Sequence, residues 1–301
     1  MRKNMTKKYL VSSGSTIKWT DSDGKEYAVT ILEDFDPFSP REDDGNLTEM
    51  ACFHPRYTLG DAIGTKSPEE YWRKLVREHV IYNEIEKKAW EGLLPGFRLA
   101  KTPGNEKFVD IYETTYIGGL PPTDNSNAVE ELAYSGVDPM ALTDYLIEDM
   151  PISVCQLLMR PYAEWLPLWL YDHSGLTISC SDRNYPYNDR WDSSQVGWII
   201  VLKENVVKNF GEDKWRARAM NAIKNDVHVY DQYLRGEVFC FTLYEKTGED
   251  WDEIDSCSGW YGDDIVENEM VNEIGHGLYE AILDGRDTVR PTKYRKVPIL
   301  D

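Results

Sequence analysis

The sequence predicts an α+β fold, with mixed or antiparallel sheets built from hairpins and several packed helices. Two kinds of signal carry this. The first is a pair of tight-turn sequences, each flanked by β-type runs. Asp21-Ser-Asp-Gly24 separates Thr16–Thr20 from Glu26–Leu32, and Thr247-Gly248 separates Val238–Tyr244 from Trp251–Trp260. Glycine in such turns supplies the positive φ that a hairpin needs. The second is a set of capped amphipathic segments lying between the hairpins, an order that suits α+β better than a doubly wound sheet.

The clearest helix opens at Ser67-Pro-Glu-Glu70. Ser67 is placed to cap, Pro68 to occupy the first helical position, and Glu70 to reach back in a capping box. Tyr71, Leu75, His79, Tyr82 and Ile85 follow at helical spacing, with an end expected near Trp90. Residues 108–117 alternate as a strand, while 126–135 and 139–148 read as short helices. Val196–Leu202 is a continuous apolar run that reads as a buried strand. Glu212–Leu234 reads as a helix closed by Gly236. Gly262-Asp263-Asp264 is expected to begin a last helix to about Leu283, on the spacing of Val266, Met270, Ile274 and Leu278. Residues 33–66, the polar segment 181–194 and the tail from Arg286 read as irregular. The expected organisation is a flexible basic tail over 1–13, an N-terminal α+β region over 14–120 and a C-terminal α+β region over 121–301.

The chain of 301 residues is 41% hydrophobic and 12% aromatic, which supports a sizeable core and argues against broad disorder. Five cysteines, Cys52, Cys155, Cys180, Cys240 and Cys257, form no CxxC pair, so a disulfide framework or zinc knuckle is not expected. No secretory h-region and no membrane-length apolar run is present, so a cytoplasmic protein is expected.

Charge is the most informative property. The net charge of −20 repels phosphate backbones and disfavours direct nucleic-acid binding, while it attracts basic surfaces. It is also unevenly spread. No Lys or Arg occurs from Phe108 to Met159, a stretch carrying Asp110, Glu113, Asp124, Glu130, Glu131, Asp138, Asp144, Glu148 and Asp149. None occurs from Thr247 to Gly285 either. There lie Glu249, Asp250, Asp252, Glu253, Asp255, Asp263, Asp264, Glu267, Glu269, Glu273, Glu280 and Asp284. Ordinary surfaces intersperse the two signs. The second stretch also carries Gly259-Trp-Tyr-Gly262, a tight aromatic turn that could pack under the hairpin or serve as a recognition knob.

Tests for chemistry return little. Asp34, Asp36, Glu42, Asp43 and Asp44 crowd together but do not follow the calcium-loop template. Cys52 and His54, with Asp61 beyond, could share a strand face, yet no oxyanion hole or orienting base is legible. His173, between Asp172 and Ser174, is the most interesting of the other histidines. His54, Asp61, Asp172 and His173 are therefore the weak catalytic candidates. GxSxG, Walker A, GxGxxG, HExxH and zinc-deaminase signatures are missing from the sequence. No cofactor and no metal site is expected.

Three segments together resemble a family of proteins carried by bacteriophages, plasmids and other mobile elements. They are Asp44-Gly-Asn-Leu-Thr-Glu-Met-Ala-Cys-Phe-His-Pro-Arg-Tyr-Thr-Leu-Gly-Asp61; Leu166–Val201, with Leu-Tyr-Asp-His-Ser-Gly-Leu-Thr and Trp-Asp-Ser-Ser-Gln-Val-Gly-Trp; and Val229-Tyr-Asp-Gln-Tyr-Leu-Arg-Gly-Glu-Val238 followed by Asp255-Ser-Cys-Ser-Gly-Trp-Tyr-Gly262. They cover about half the chain. Family members usually read Cys-Trp-Gly-Phe-Tyr-Gly where this chain has Cys257-Ser-Gly-Trp-Tyr-Gly262. The resemblance assigns no activity and no catalytic residue. It implies a genomic setting in which interference with host defence is expected.

The resulting expectation is an acidic, protein-binding inhibitor that blocks a host defence or nucleic-acid-handling enzyme, such as a nuclease, restriction enzyme or CRISPR-type effector, through nucleic-acid mimicry. Its partner-binding residues would be Glu249, Asp250, Asp252, Glu253, Trp260, Tyr261, Asp263, Asp264, Glu267 and Glu269. No membrane partner is expected, and homo-oligomerisation stays open. An enzyme centred on His54 or His173, hydrolytic or nucleotide-modifying, and a structural protein of a mobile element are the alternatives.

Overall fold

The structure, a computed structural model, describes residues 9–42, 45–116, 128–181 and 191–291. In chain order the first elements are β1 (Ser15–Thr20), β2 (Glu26–Glu33), β3 (Thr48–Cys52), α1 (Pro68–His79), α2 (Tyr82–Trp90), β4 (Phe97–Thr102), β5 (Asn105–Tyr116) and β6 (Ala128–Val137). Next come α3 (Leu142–Glu148), α4 (Ile152–Met159), β7 (Ala163–Asp172), β8 (Leu176–Cys180), β9 (Ser193–Leu202), α5 (Lys203–Phe210) and α6 (Trp215–Leu234). The last are β10 (Val238–Thr247), β11 (Asp250–Tyr261), α7 (Met270–Ile274), α8 (Leu278–Asp284) and β12 (Thr288–Pro291). The fold is α+β with antiparallel sheets, as the hairpin signals predict. Among the described residues no helix is long and apolar enough to cross a membrane.

The chain forms two compact units, each assembled from separated stretches: residues 1–46, 167–196 and 222–301 make one, and 47–166 and 197–221 the other. Neither follows a single division near residue 120.

In the first unit a five-stranded sheet has the order β11-β10-β2-β1-β12. The β1–β2 hairpin closes as expected, with Thr20 opposite Glu26. Asp21 Oδ1 accepts the Asp23 and Lys25 amides at 2.8 and 2.9 Å, and Gly24 has φ +82°. One core joins Ile17, Trp19, Val29 and Ile31 with Phe241, Leu243, Ile274, Leu278 and Ile282. Burial of such side chains contributes roughly 1.5–3 kcal/mol each.

The expected last helix is not continuous. Residues 262–269 form turns, and α7 and α8 are separated at Gly275-His276-Gly277, where all three residues have positive φ. The i, i+4 spacing of Val266, Met270, Ile274 and Leu278 arises because two short helices bury successive turns in one core. His276 is held in place there: its carbonyl accepts the Trp19 indole N–H at 2.8 Å, and its ring lies 4.6 Å from Tyr27. The expected N-terminal tail is docked from Tyr9 onward. Val11 is buried and its amide donates to the Asp263 carbonyl at 2.9 Å; residues 1–8 lie outside the described residues. The chain after Arg286, which the sequence predicts to be irregular, adds β12 to β1. Residues 292–301 are not among those described.

The second unit packs α1–α4 in one core around Tyr71, Trp72, Leu75, Ile85, Leu146, Ile147 and Cys155. Ser67 caps α1 as expected, accepting the Glu70 amide at 3.2 Å. Glu70 reaches back one residue further than a capping box, accepting the Lys66 amide at 3.0 Å. The predicted single helix to Trp90 is two helices, because Val80 and Ile81 take extended backbone conformations.

Residues 126–135, expected as a helix, belong instead to β6 from Ala128 onward. Their pairing with β5, Tyr112 opposite Leu132 and Glu113 opposite Glu131, outweighs the local helical spacing. Within the segment expected to be irregular, β3 pairs with β9. Gly197 makes that approach feasible: a Cβ there would stand 1.8 Å from the Ala51 carbonyl oxygen. Gly60, φ +69°, also lies close to Met50, whose carbonyl oxygen would be 2.3 Å from a Cβ.

Candidate partner-binding edge and cleft

Strand β11 forms one edge of the five-stranded sheet among the described residues. Asp250, Asp252, Glu253 and Asp255 all lie on it, and Glu249 stands in the turn before it; all five are exposed. Cross-strand pairing decides their directions. Asp250, Asp252 and Asp255 lie opposite Thr247, Glu245 and Leu243, so they share the face that Leu243 buries. Glu253 lies opposite Tyr244 and takes the other face, because a register shift between Leu243 and Tyr244 leaves Ile254 as an extra residue. The edge therefore shows carboxylates on both sides. The cation nearest in register, Lys246, is committed to Glu26 at 2.8 Å. Lys246 and Lys18 also lie over the Trp251 ring, at 6.0 and 5.0 Å from its centre.

At its far end β11 runs into a cleft of about 460 Å³. Trp260 and Tyr261 line it from the strand, Asp263 and Glu267 from the turns that follow, Gln232 from the C-terminal part of α6 and Arg235 from the turn after it. Gly262 has φ +89°, and a Cβ there would stand 2.4 Å from Nε2 of the Gln232 side chain. Arg235 binds Asp231 at 3.1 Å and Glu237 at 2.8 Å. Burial pushes the Asp231 carboxyl above its ordinary range, opposed by the Ile178 amide it accepts at 2.9 Å and by Arg235. Tyr261 Oη donates to the Phe38 carbonyl at 2.8 Å. The Trp260 ring packs 6.2 Å from Phe241, while its indole N–H is buried with no hydrogen-bond partner among the described residues.

The sequence-predicted residues thus divide. Trp260, Tyr261, Asp263 and Glu267 come together at the cleft. Glu249, Asp250, Asp252 and Glu253 form the edge. Asp264 lines the cleft but is buried, and its Oδ1 accepts the Tyr9, Val266 and Glu267 amides at 3.2, 3.1 and 3.3 Å, so its carboxylate is committed to the loop. Glu269 is exposed in a left-handed conformation, φ +66°, before α7. Gln232, Arg235 and Glu237 are additions that no charge count points to. The only sequence signal for them is that Val229–Val238 and Asp255–Gly262, quoted together above, supply both walls.

The catalytic candidates separate as well. His54 Nδ1 accepts the Arg56 and Tyr57 amides, both at 3.3 Å, and its ring stacks on Tyr57 at 4.9 Å. Asp61 Oδ2 accepts the Met50 amide at 2.8 Å, and its own amide returns to the Met50 carbonyl. Both side chains serve the turn that fastens residues 54–61 to β3. Asp172 ends β7 and His173 stands in the β7–β8 turn beside Ser174, φ +61°. His173 Nδ1 lies 2.8 Å from Asp192 Oδ2, at an exposed site. His54 and Asp61 belong to one compact unit, Asp172 and His173 to the other.

Among the described residues no group of three or more His, Cys, Asp or Glu side chains is arranged to hold a metal ion. Asp43 and Asp44 of the acidic turn lie outside them. No disulfide joins the five cysteines. Comparisons with protein-family models, curated proteins and solved structures find no match to this chain.

Proposed function

We propose that the protein is an acidic inhibitor that docks β11 and its turn into the basic nucleic-acid groove of a host enzyme. On this reading it acts in the cytoplasm of a cell carrying a phage or mobile element, against a nuclease, restriction enzyme or CRISPR-type effector. The observation that carries the reading is the exposed sheet edge bearing Glu249, Asp250, Asp252, Glu253 and Asp255. Carboxylates two residues apart on a strand stand about 6.6 Å apart, close to twice the roughly 3.4 Å axial step of phosphates along one DNA strand. A net charge of −20 adds long-range attraction to a basic groove.

The test is retention of defence nucleases from a bacterial lysate on the tagged protein, followed by displacement of DNA from the purified nuclease. Retention that falls with salt, and is lost when Asp250, Asp252, Glu253 and Asp255 are all changed to Lys, supports the reading. Retention that the reversed variant keeps counts against it.

The His173–Asp192 pair favours a second reading, a hydrolase using an imidazole oriented by a carboxylate. Turnover of nucleotides or esters that disappears in a folded His173→Ala variant would select it.

A further inference from the structure

We propose that β11 takes up a further strand: an extended basic segment of the docked enzyme, hydrogen-bonded along the edge of the five-stranded sheet. The inference rests on the docking reading above and names the element of the partner that β11 meets.

Pairing within the sheet fixes which backbone groups of β11 point outward. Strand β10 lies between β2 and β11, so its residues alternate in which neighbour they bond. The Asp34 amide donates to the Val238 carbonyl at 2.8 Å, and β10 pairs with β2 without a register shift. Val238 and, by alternation, Thr242, Tyr244 and Lys246 therefore bond toward β2. The β11 residues opposite the last three are Ser256, Glu253 and Trp251. Their amides and carbonyls point away from β10. The Ser256 amide accordingly donates to Asp255 Oδ1, at 2.8 Å. Among the described residues no strand lies beyond β11 to meet these groups.

The two edges of the sheet differ. Strand β12 has four residues and ends at Pro291, which are common ways of blunting an edge. Strand β11 runs for 12 residues without proline. Its backbone suits strand addition, and its charge selects the occupant. A second copy of this chain is disfavoured, because β11 beside β11 would set carboxylates against carboxylates. A strand carrying Lys or Arg would instead place cations beside Glu253 on one face and beside Asp250, Asp252 and Asp255 on the other. Its carbonyl would take over the Ser256 amide and release Asp255 to meet a cation.

The test uses the full chain, ¹⁵N-labelled, and the peptide acetyl-Lys-Thr-Lys-Val-Lys-Thr-Lys-Val-amide. The comparison peptide has every backbone amide N-methylated, so it keeps each charge and loses each backbone donor. The expected result is saturable binding of the first peptide with slowed hydrogen exchange at the Trp251, Glu253 and Ser256 amides. The methylated peptide should bind at least roughly tenfold more weakly. Ser256→Pro, which removes one outward donor and no charge, should weaken the first peptide by roughly fivefold. Should that variant fail to fold, the two peptides on the unaltered chain still decide the matter. Equal binding of the two peptides, or unslowed exchange at the three amides, overturns the strand addition. Failure here is separable from failure of the docking reading. A nuclease lost on the Lys-reversed β11 variant, together with equal binding of the two peptides, keeps the docking and removes the added strand. Slowed exchange with the peptide and no nuclease retained does the reverse.

Discussion

The two acidic stretches look alike as sequence and differ in space. In the stretch from Phe108 to Met159 most of the described carboxylates are used internally. Asp110 accepts from Thr102 Oγ1, Ser135 Oγ and the Gly136 amide at 2.7, 3.0 and 3.0 Å. Glu130 pairs with Arg98 and Glu148 with Arg77, both at 2.8 Å. Tyr134 Oη donates to Asp149, which pushes the phenol up to about 12. In the stretch from Thr247 to Gly285 the acids of β11 instead line a sheet edge, while Asp264 is enclosed by backbone donors and Asp284 pairs with Arg286 at 3.3 Å. A run of one sign in sequence is therefore not a surface of one sign. Cations supplied by distant segments decide which stretch keeps its field.

Four measurements would break or sharpen this contrast. The largest effect is expected at Asp264, a buried acid of the second stretch held by donors as Asp110 is held in the first. Asp264→Ala strips the acceptor from three amides and should cost about 2–4 kcal/mol in a urea titration, with Asp264→Asn recovering part of it. Next is the pH response of Asp110. Its hydrogen bonds to Thr102 and the Gly136 amide hold its carboxyl below the usual range. Its contribution is therefore complete above the ordinary carboxylate pKa and is lost as pH falls through the lowered value. Asp110→Asn should remove that part of the acid-side decline in stability, and an unchanged profile would detach Asp110 from the contrast. Third, Glu130→Gln and Glu148→Gln, at half-exposed ion pairs, should each change stability by at most about 1 kcal/mol. Their main consequence should be that Arg98 and Arg77 lose partners. Last, Asp250→Lys and Asp252→Lys on the edge should alter stability by no more than roughly 0.5 kcal/mol each, while weakening any salt-dependent association. A large stability loss there would mean that the edge acids are structural.

Much of the fold is legible from local chemistry where local chemistry decides it. The Asp21–Gly24 and Thr247–Gly248 hairpins, the Ser67 cap, the Val196–Leu202 strand and the Gly236 terminus all follow from turn and capping residues. The misread elements are those decided from a distance. Ala128–Val137 is a strand because β5 lies beside it. Met270–Asp284 is broken because His276 is held by Trp19 and Tyr27. Thr48–Cys52 is a strand because Gly197 admits it. For the candidate site, the edge acids were readable as a charge pattern. The cleft was not, since Gln232, Arg235 and Glu237 meet Trp260 only through the closure of α6 on β11.

The β1–β12 pairing sets Ile17 opposite Val289, with nearly the whole chain between them. During synthesis β12 leaves the ribosome long after β1. The five-stranded sheet can be completed only after translation has passed residue 291, long after the stretches forming the other unit have emerged. Until then the sheet lacks β12, and a nascent chain stalled before residue 238, with β1 and β2 still without β10 and β11, would hold an incomplete apolar face suited to chaperone capture.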